Sequence, residues 1–448
     1  MAWVRTLVLV GLLLALAPMA GVAVDPATSP SLTATSSRTP DGIRYDITVE
    51  PASVEGLWVD PGDEFDVVGV SGLEETTRGE RRVYRWDGES SVATLSLEYE
   101  ISNSDGVTAG PEFTRADDWM LGPVPDLELS WNEDGQLTTR RPFSDPTDPG
   151  VTITTDGPGV VGERYAFLGA HDRFEQRGSG TTVQLVVPRG VELDQAPDTI
   201  LDALLASESM LDVGSPSEEV LIFALPDPAR GGGESFLGAN ELWVHAESRL
   251  DTPNNVWLHE YIHTRQSFML APEMVWLREA SAEYYGAKLA HEHGFVSETT
   301  VHEYVRRPGH EDTVLADTET WTEPGVPYTK GTRTLAKLDE RIRAATDGER
   351  SLDDVMRRLN EHDGVVTYAV FERTVAAVAG QSMDEWLWEQ VHGSENPRPL
   401  TTPWVVHQAK ALTGPLTPLP TDFGSKSPAA GLGGVLAVGS GLALLSRK

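Results

Sequence analysis

His259-Glu260-Tyr261-Ile262-His263 is the segment of this 448-residue chain whose residue types and spacing point most directly to chemistry. Two histidines four apart share one face of a helix, about one turn from each other. That spacing lets both imidazoles bind one divalent cation, and the ligand types suit zinc. The glutamate between them would lie beside the metal, where it can act as general base toward a water that the metal activates. Val256-Trp257-Leu258 precedes the motif and Phe268-Met269-Leu270 follows it, apolar flanks that suit a buried helix.

Two histidines do not complete such a site, because a catalytic zinc takes three protein ligands and keeps one position for water. The chain contains no cysteine, so the third ligand must be a histidine or a carboxylate. Glu279 is the best placed, within Trp276-Leu277-Arg278-Glu279-Ala280-Ser281-Ala282-Glu283-Tyr284-Tyr285. A turn through Ala271-Pro272 would bring this second helix back beside the first. Glu283, one turn further on, is the rival, either as ligand or as acceptor for the outer N–H of a ligand histidine. Both glutamates could equally be ordinary carboxylates of a helix surface. Tyr328, in Val326-Pro327-Tyr328-Thr329-Lys330-Gly331, follows a proline at a helix start and can aim its hydroxyl at an oxyanion. A tyrosine there can also simply pack. His291 and His293 point to different helix faces and read as solvated groups or dipole partners, not as a second metal site.

The elements that must position these groups follow a change of pattern along the chain. From about Val24 to Pro188 the text is β-like, with period-two runs such as Ile43–Val49 and Thr94–Tyr99 separated by turn clusters such as Asn132-Glu133-Asp134-Gly135. Val183–Pro188 reads as the last strand of that region. From Arg189 to about residue 412 helical spacing dominates: Ile200–Leu211, Asn255–Phe268, Trp276–His293, Thr329–Thr346, a helix opening at Ser351 as N-cap, and Met383–Val391. Strands are expected at Glu219–Leu225 and Glu241–His245, with Gly231-Gly232-Gly233-Glu234-Ser235 between them as a flexible loop. The expected class is α+β, a β-rich N-terminal domain followed by a mainly helical region that carries the site.

Charge narrows the partners. Acidic residues outnumber basic ones 69 to 35, a net −34, which repels nucleic-acid phosphates and anionic bilayer surfaces. Six lysines among those cations give a surface that resembles proteins of salt-loving archaea, where screening tames dense carboxylates. Residues 1–23, with Arg5 before the apolar run Leu7–Leu16 and small residues at Gly21-Val22-Ala23, read as a signal peptide. Residues 413–428 hold four prolines and read as a stalk, and residues 429–446 as a C-terminal membrane anchor before Arg447-Lys448. The expected location is thus the extracellular face of the cell membrane, with the chain anchored at its C-terminus.

Four segments in order resemble the gluzincin clan of metallopeptidases, and among them the glycyl aminopeptidase family, with the alanyl and leucyl aminopeptidases more distant. They are HEYIH at 259–263, WLREASAEYY at 276–285, YTKG at 328–331 and SLDDVM at 351–356. Ala280 stands where the family has glycine. The resemblance covers about residues 160–400 and implies a thermolysin-like zincin region with a Zn²⁺ cofactor. It makes His259, His263 and Glu279 the metal ligands, Glu260 the general base and Tyr328 the transition-state hydroxyl. It also makes Glu234 of Gly232-Gly233-Glu234 the group that holds a substrate's free amine. The expected activity is hydrolysis of peptide or protein substrates: an aminopeptidase if Glu234 holds the amine, an endopeptidase if it does not. A cell-surface binding protein that keeps the fold without turnover is the reading from another class. It predicts a missing ligand or base, yet each expected group is present.

Overall fold

The computed structural model describes residues 29–102, 113–133, 135–144, 148–235 and 240–394. A β-rich N-terminal region precedes a helical C-terminal region.

Alternation builds the first layers. Gly42–Glu50 buries Ile43, Tyr45, Ile47 and Val49 and turns Asp46 and Glu50 to solvent. It lies in a five-stranded sheet ordered Val151–Thr155, Ser31–Arg38, Gly42–Glu50, Ala93–Glu100, Asp66–Ser71. A second five-stranded sheet runs Gln136–Arg140, Glu128–Glu133, Glu55–Asp60, Arg81–Trp86, Leu73–Arg78. Ile43, Tyr45 and Leu97 of the first sheet share one core with Leu57, Val59 and Trp131 of the second, the arrangement of a sandwich.

A four-stranded sheet, Gly159–Val161, Tyr165–Gly169, Trp119–Pro123 and Thr114–Arg115, joins the sandwich to the rest. Met120, Ala166 and Leu168 face the sandwich core. Trp119, Leu121, Tyr165 and Phe167 face the other way, onto Val186, Phe223, Leu225 and Trp243 of a further sheet. Tyr165–Gly169 is buried at every position, as a strand covered on both sides must be.

That further sheet backs the site. Its order is His171–Arg177, Thr182–Pro188, Glu219–Leu225, Glu241–His245, Gly233–Ser235. The three inner strands are parallel and the two outer ones antiparallel to their neighbours. Thr182–Pro188, where the β-like text ends, is thus a member of this sheet. Val183, Leu185, Ile222, Leu242 and Val244 point from its second face into the helical core. Glu241 is buried and accepts backbone N–H bonds from Glu163, Arg164 (2.9 Å) and Tyr165 (3.1 Å), tying the β-rich region to this sheet.

The helices are α1 Pro197–Met210, α2 Val256–His263, α3 Trp276–Glu292, α4 Glu298–Val305, α5 Thr332–Ala345, α6 Leu352–Asn360, α7 Tyr368–Ala379 and α8 Asp384–His392. Ser351 caps α6 in a reciprocal box with Asp354.

Four sequence expectations change. Helix α2 ends at His263, not Phe268, because the next amides fold back three residues, Arg265 to Ile262 and Gln266 to His263, and Ser267 bonds Asn360. Gly233–Ser235 is an edge strand, not a flexible loop; glycine is required there, since a Cβ on Gly233 would lie 2.7 Å from Glu260 Cγ and 2.8 Å from Trp243 O. His293 is no charged dipole partner: burial pushes its pKa down to about 4, and its Nε2 lies 2.8 Å from Ser207 Oγ. The expected membrane location is also corrected. Among the described residues no helix is long and apolar enough to cross a membrane; α3, the longest of them with 17 residues, is interrupted by charged side chains. The segments read as signal peptide, stalk and anchor lie outside the described residues.

Candidate active site

Helices α2 and α3 bring together the side chains that could hold a metal ion. Asn255 fixes the start of α2: its Oδ1 accepts the Leu258 N–H at 3.1 Å and its Nδ2 donates to Leu250 O at 2.7 Å. Helix α3 packs on α2 at Gly286, where a Cβ would sit in ordinary contact, 3.4 Å from the His259 backbone nitrogen. The two helices then place His259 Nε2, His263 Nε2 and Glu279 Oε2 in a triangle. Its sides are 3.3 Å between the imidazole nitrogens, 3.3 Å from His259 to Glu279 and 3.5 Å from His263 to Glu279. Ligand atoms about 2.0–2.1 Å from one tetrahedral ion must lie about 3.3–3.4 Å apart. The donor set therefore fits a zinc ion in both chemistry and spacing.

The outer nitrogens support that use. His259 Nδ1 lies 3.1 Å from Glu283 Oε2 and His263 Nδ1 lies 2.9 Å from Gln266 Oε1. Each acceptor holds the ring N–H on Nδ1 and leaves the Nε2 lone pair for a cation. Gln266 is itself oriented, donating to Arg278 O at 3.0 Å and Ser281 Oγ at 2.9 Å. Glu283 is held by the Tyr304 hydroxyl and by Arg307 at 3.3 Å. Glu283 thus sits on the far side of His259 from Glu279.

Electrostatics follow from this crowding. Burial opposes a charge on His259, but bonds to Glu279 and Glu283 outweigh it and raise its pKa well above the usual value. Burial would lift Glu279, yet His263 and His259 hold it well below the ordinary carboxylate range. Protons and a cation therefore compete for the same atoms. Glu260, buried on the same helix, is pushed up by burial against the pull of both histidines, and Glu279 adds to the rise. A carboxylate so raised is a better proton acceptor at neutral pH than an exposed one.

Tyr328 arrives from another part of the chain. The expected helix from Thr329 begins instead as a π-turn, Pro327–Gly331, that runs into α5. Gly331 permits the approach, because a Cβ there would meet Ala280 Cβ at 2.7 Å. The Tyr328 hydroxyl donates to Glu279 Oε2 at 2.6 Å, and its ring lies nearly parallel to His259 with centroids 5.6 Å apart. Arg307 bonds Tyr328 O at 2.7 Å, so one guanidinium braces both the π-turn and Glu283. Lys330 is buried and donates to Thr313 O at 2.6 Å and Gly393 O at 3.0 Å.

Glu234 lies on the edge strand that passes over Glu260, cross-paired with Trp243. Burial raises its pKa, Arg230 opposes that rise at 2.7 Å, and Glu260 and Glu279 add to it. It therefore shares the electrostatic environment of the metal cluster.

Gln266, Tyr304, Arg307 and Arg230 escape a reading of the sequence. Two have a local signal: Gln266 lies three residues after His263 and Arg230 four residues before Glu234. The others reach the site through loops and a separate helix.

No family model and no curated protein sequence matches the chain. Solved structures do. One is an aminopeptidase N family protein of Idiomarina loihiensis, with TM-score 0.57 and 15% identity over 82% of this chain and 76% of that one. Another is an M1 zinc metallopeptidase of Deinococcus radiodurans bound to a Tyr-Ser-Ala substrate, with TM-score 0.50 and 14% identity over 83% of this chain and 95% of that one. At such identities the likeness is one of architecture: the succession of β-rich and helical regions that carries the His259, His263 and Glu279 cluster is a fold shared with aminopeptidase N-like proteins.

Proposed function

We propose that this chain is a zinc-dependent metallopeptidase, and specifically an aminopeptidase. The observation that carries the reading is the triangle of His259, His263 and Glu279, with both Nδ1 atoms committed to acceptors and Glu260 buried beside it. The strand that bears Glu234 supports the finer assignment, as does a structural relative of the aminopeptidase N family; the other relative is a zinc metallopeptidase by name.

His259, His263 and Glu279 would hold the zinc, which when bound polarises a scissile carbonyl and makes a water acidic. Glu260 takes the proton of the attacking water and returns it to the leaving amine. Tyr328 turns its hydroxyl from Glu279 to the developing oxyanion, a short movement for a group already at 2.6 Å from a ligand oxygen. Glu234 pairs with the substrate's free amine. The edge strand Gly233–Ser235 offers main-chain groups to an extended peptide. The resemblance to the glycyl aminopeptidases remains part of this proposal.

The test is digestion of a peptide library by the purified protein in high salt, read by mass spectrometry, with and without a chelator. Chelator-sensitive loss of single N-terminal residues, blocked by N-acetylation, is the expected result. Internal cuts that ignore acetylation would keep the metal chemistry and discard Glu234 as amine anchor. No cleavage by metal-replete, folded protein would favour the binding protein without turnover.

A further inference from the structure

The end of α4 touches two parts of the site while giving no atom to the triangle of ligand atoms. Arg307 Nη2 donates to Tyr328 O at 2.7 Å and to Glu283 Oε1 at 3.3 Å. The same Oε1 accepts the Tyr304 hydroxyl, and Oε2 of Glu283 faces His259 Nδ1 at 3.1 Å. A single nitrogen thus joins the main chain beneath the Tyr328 hydroxyl to the carboxylate that orients His259. The rest of the guanidinium is held as well. Its Nη1 donates to Tyr304 O at 3.1 Å, and its carbon stands 3.7 Å from the centroid of the Tyr304 ring. The Arg307 carbonyl accepts Arg333 Nη1 at 2.7 Å, a contact from α5, the helix into which the π-turn runs.

Tyr328 makes a demand that this bond answers. Its hydroxyl rests on Glu279 at 2.6 Å and, in the proposed mechanism, leaves it for the oxyanion. Such a swing is useful only if the main chain beneath it stays in place, since a misplacement of about 1 Å can cost about 10²-fold in rate. Lys330 already ties the same π-turn to Thr313 O and Gly393 O, so the turn does not depend on Arg307 to be formed. What Arg307 adds is registration against Glu283, and through it against His259. The donor is charged, and charge-assisted bonds are about twice as strong as neutral ones. With 29% of the Arg307 side chain and 4% of the Glu283 side chain exposed, water competes little for the carboxylate end.

We propose that Arg307 is a positioning residue for hydrolysis: it holds Tyr328 in register with His259, so that the tyrosine hydroxyl meets the oxyanion where the ligand side of the site presents it. The proposal rests on the metallopeptidase reading and adds a residue to its machinery.

The experiment is a double-mutant cycle of Arg307→Met and Tyr328→Phe in the whole protein with zinc, with rates expressed per folded, zinc-bearing molecule. Arg307→Met should lower kcat by about 10–100-fold and leave KM within about twofold. On the Tyr328→Phe background the same change should lower kcat by less than about threefold, because the hydroxyl it positions is gone. A binding measurement accompanies the rates. A peptide phosphonate, whose tetrahedral oxygens stand in for the oxyanion, should bind Arg307→Met at least about tenfold more weakly in calorimetry. Arg307→Lys keeps the charge beside Glu283, and with it the fold, but lacks the planar fork; its kcat should still fall at least about threefold. A merely structural Arg307 would lower the unfolding midpoint and leave kcat per folded molecule and phosphonate affinity at wild-type values, which would overturn the proposal. Equal losses with and without the Tyr328 hydroxyl would overturn it too, as would wild-type kcat in Arg307→Lys. Each of these leaves the metallopeptidase reading intact, whereas no hydrolysis by the wild-type protein would fell both together.

Discussion

The two halves of α3 each bury a set of charges, and they do it in opposite ways. The first half carries Glu279 and Glu283, where three lone-pair atoms converge within 3.3–3.5 Å of one another. The second half carries Tyr284, Tyr285 and Lys288, and there each acceptor meets a donor. Tyr284 and Arg343 donate to Asp339 at 2.9 and 2.8 Å, and Leu352 N–H completes it at 2.6 Å. Tyr285 donates to Asp353 at 3.0 Å and Lys288 reaches both of its oxygens at 3.3 Å. Burial would lower the Lys288 pKa, but Asp353 and Glu292 raise it. The difference separates a cluster whose geometry suits a cation from one whose charges are already paired. Like groups aimed at one point await a charge from outside, and alternating donors and acceptors are complete as they stand.

The comparison can be broken from either end. Glu260→Gln should lower kcat by about 10²–10⁴-fold, the usual contribution of a general base, while one zinc per chain remains by atomic absorption. Loss of the metal along with activity would make Glu260 part of the binding set instead. Asp353→Ala should cost about 1–3 kcal/mol of unfolding free energy in denaturant titration, because it removes the nearer acidic partner of buried Lys288 and the acceptor of the Tyr285 hydroxyl, leaving Glu292 at 3.9 Å. Its kcat per folded molecule should stay at the wild-type value; a fall would show that the two halves are coupled. Tyr328→Phe should reduce kcat by about 10²–10³-fold with KM unchanged, as for loss of one oxyanion donor. An equal rise in KM would point to a packing role. The smallest effect is expected for Glu283→Gln, which keeps an acceptor near His259 but removes its charge. Zinc affinity should drop about 10–100-fold in chelator competition, and a larger loss would make Glu283 a ligand.

What the sequence disclosed depends on how local each feature is. His259, Glu260 and His263 lie within about one helical turn, so spacing alone places them on one helix. Strands such as Glu219–Leu225 and Glu241–His245 match their apolar runs residue for residue. The capping partners Ser351 and Asp354 are three residues apart. Choosing between Glu279 and Glu283 was not possible by periodicity, since the two are one turn apart and only the distances to His259 Nε2 and Nδ1 separate them. Gly231–Ser235 has a composition poor in strand formers, and its pairing with Glu241–His245 is a tertiary fact. The π-turn that carries Tyr328 depends on contact between Gly331 and Ala280, far apart in sequence.

The carboxylate of Glu241, which accepts three main-chain amides from Glu163, Arg164 and Tyr165, bears on how divisible this protein is. Glu241 begins the strand to which Glu234's strand is paired. Removal of the β-rich layers would strand a buried anion beside the edge strand that carries Glu234 and uncover the aromatic face of Phe223 and Trp243. The helical region is consequently no detachable module: the smallest piece that keeps the site intact includes layers that contribute no residue to the His259, His263 and Glu279 cluster.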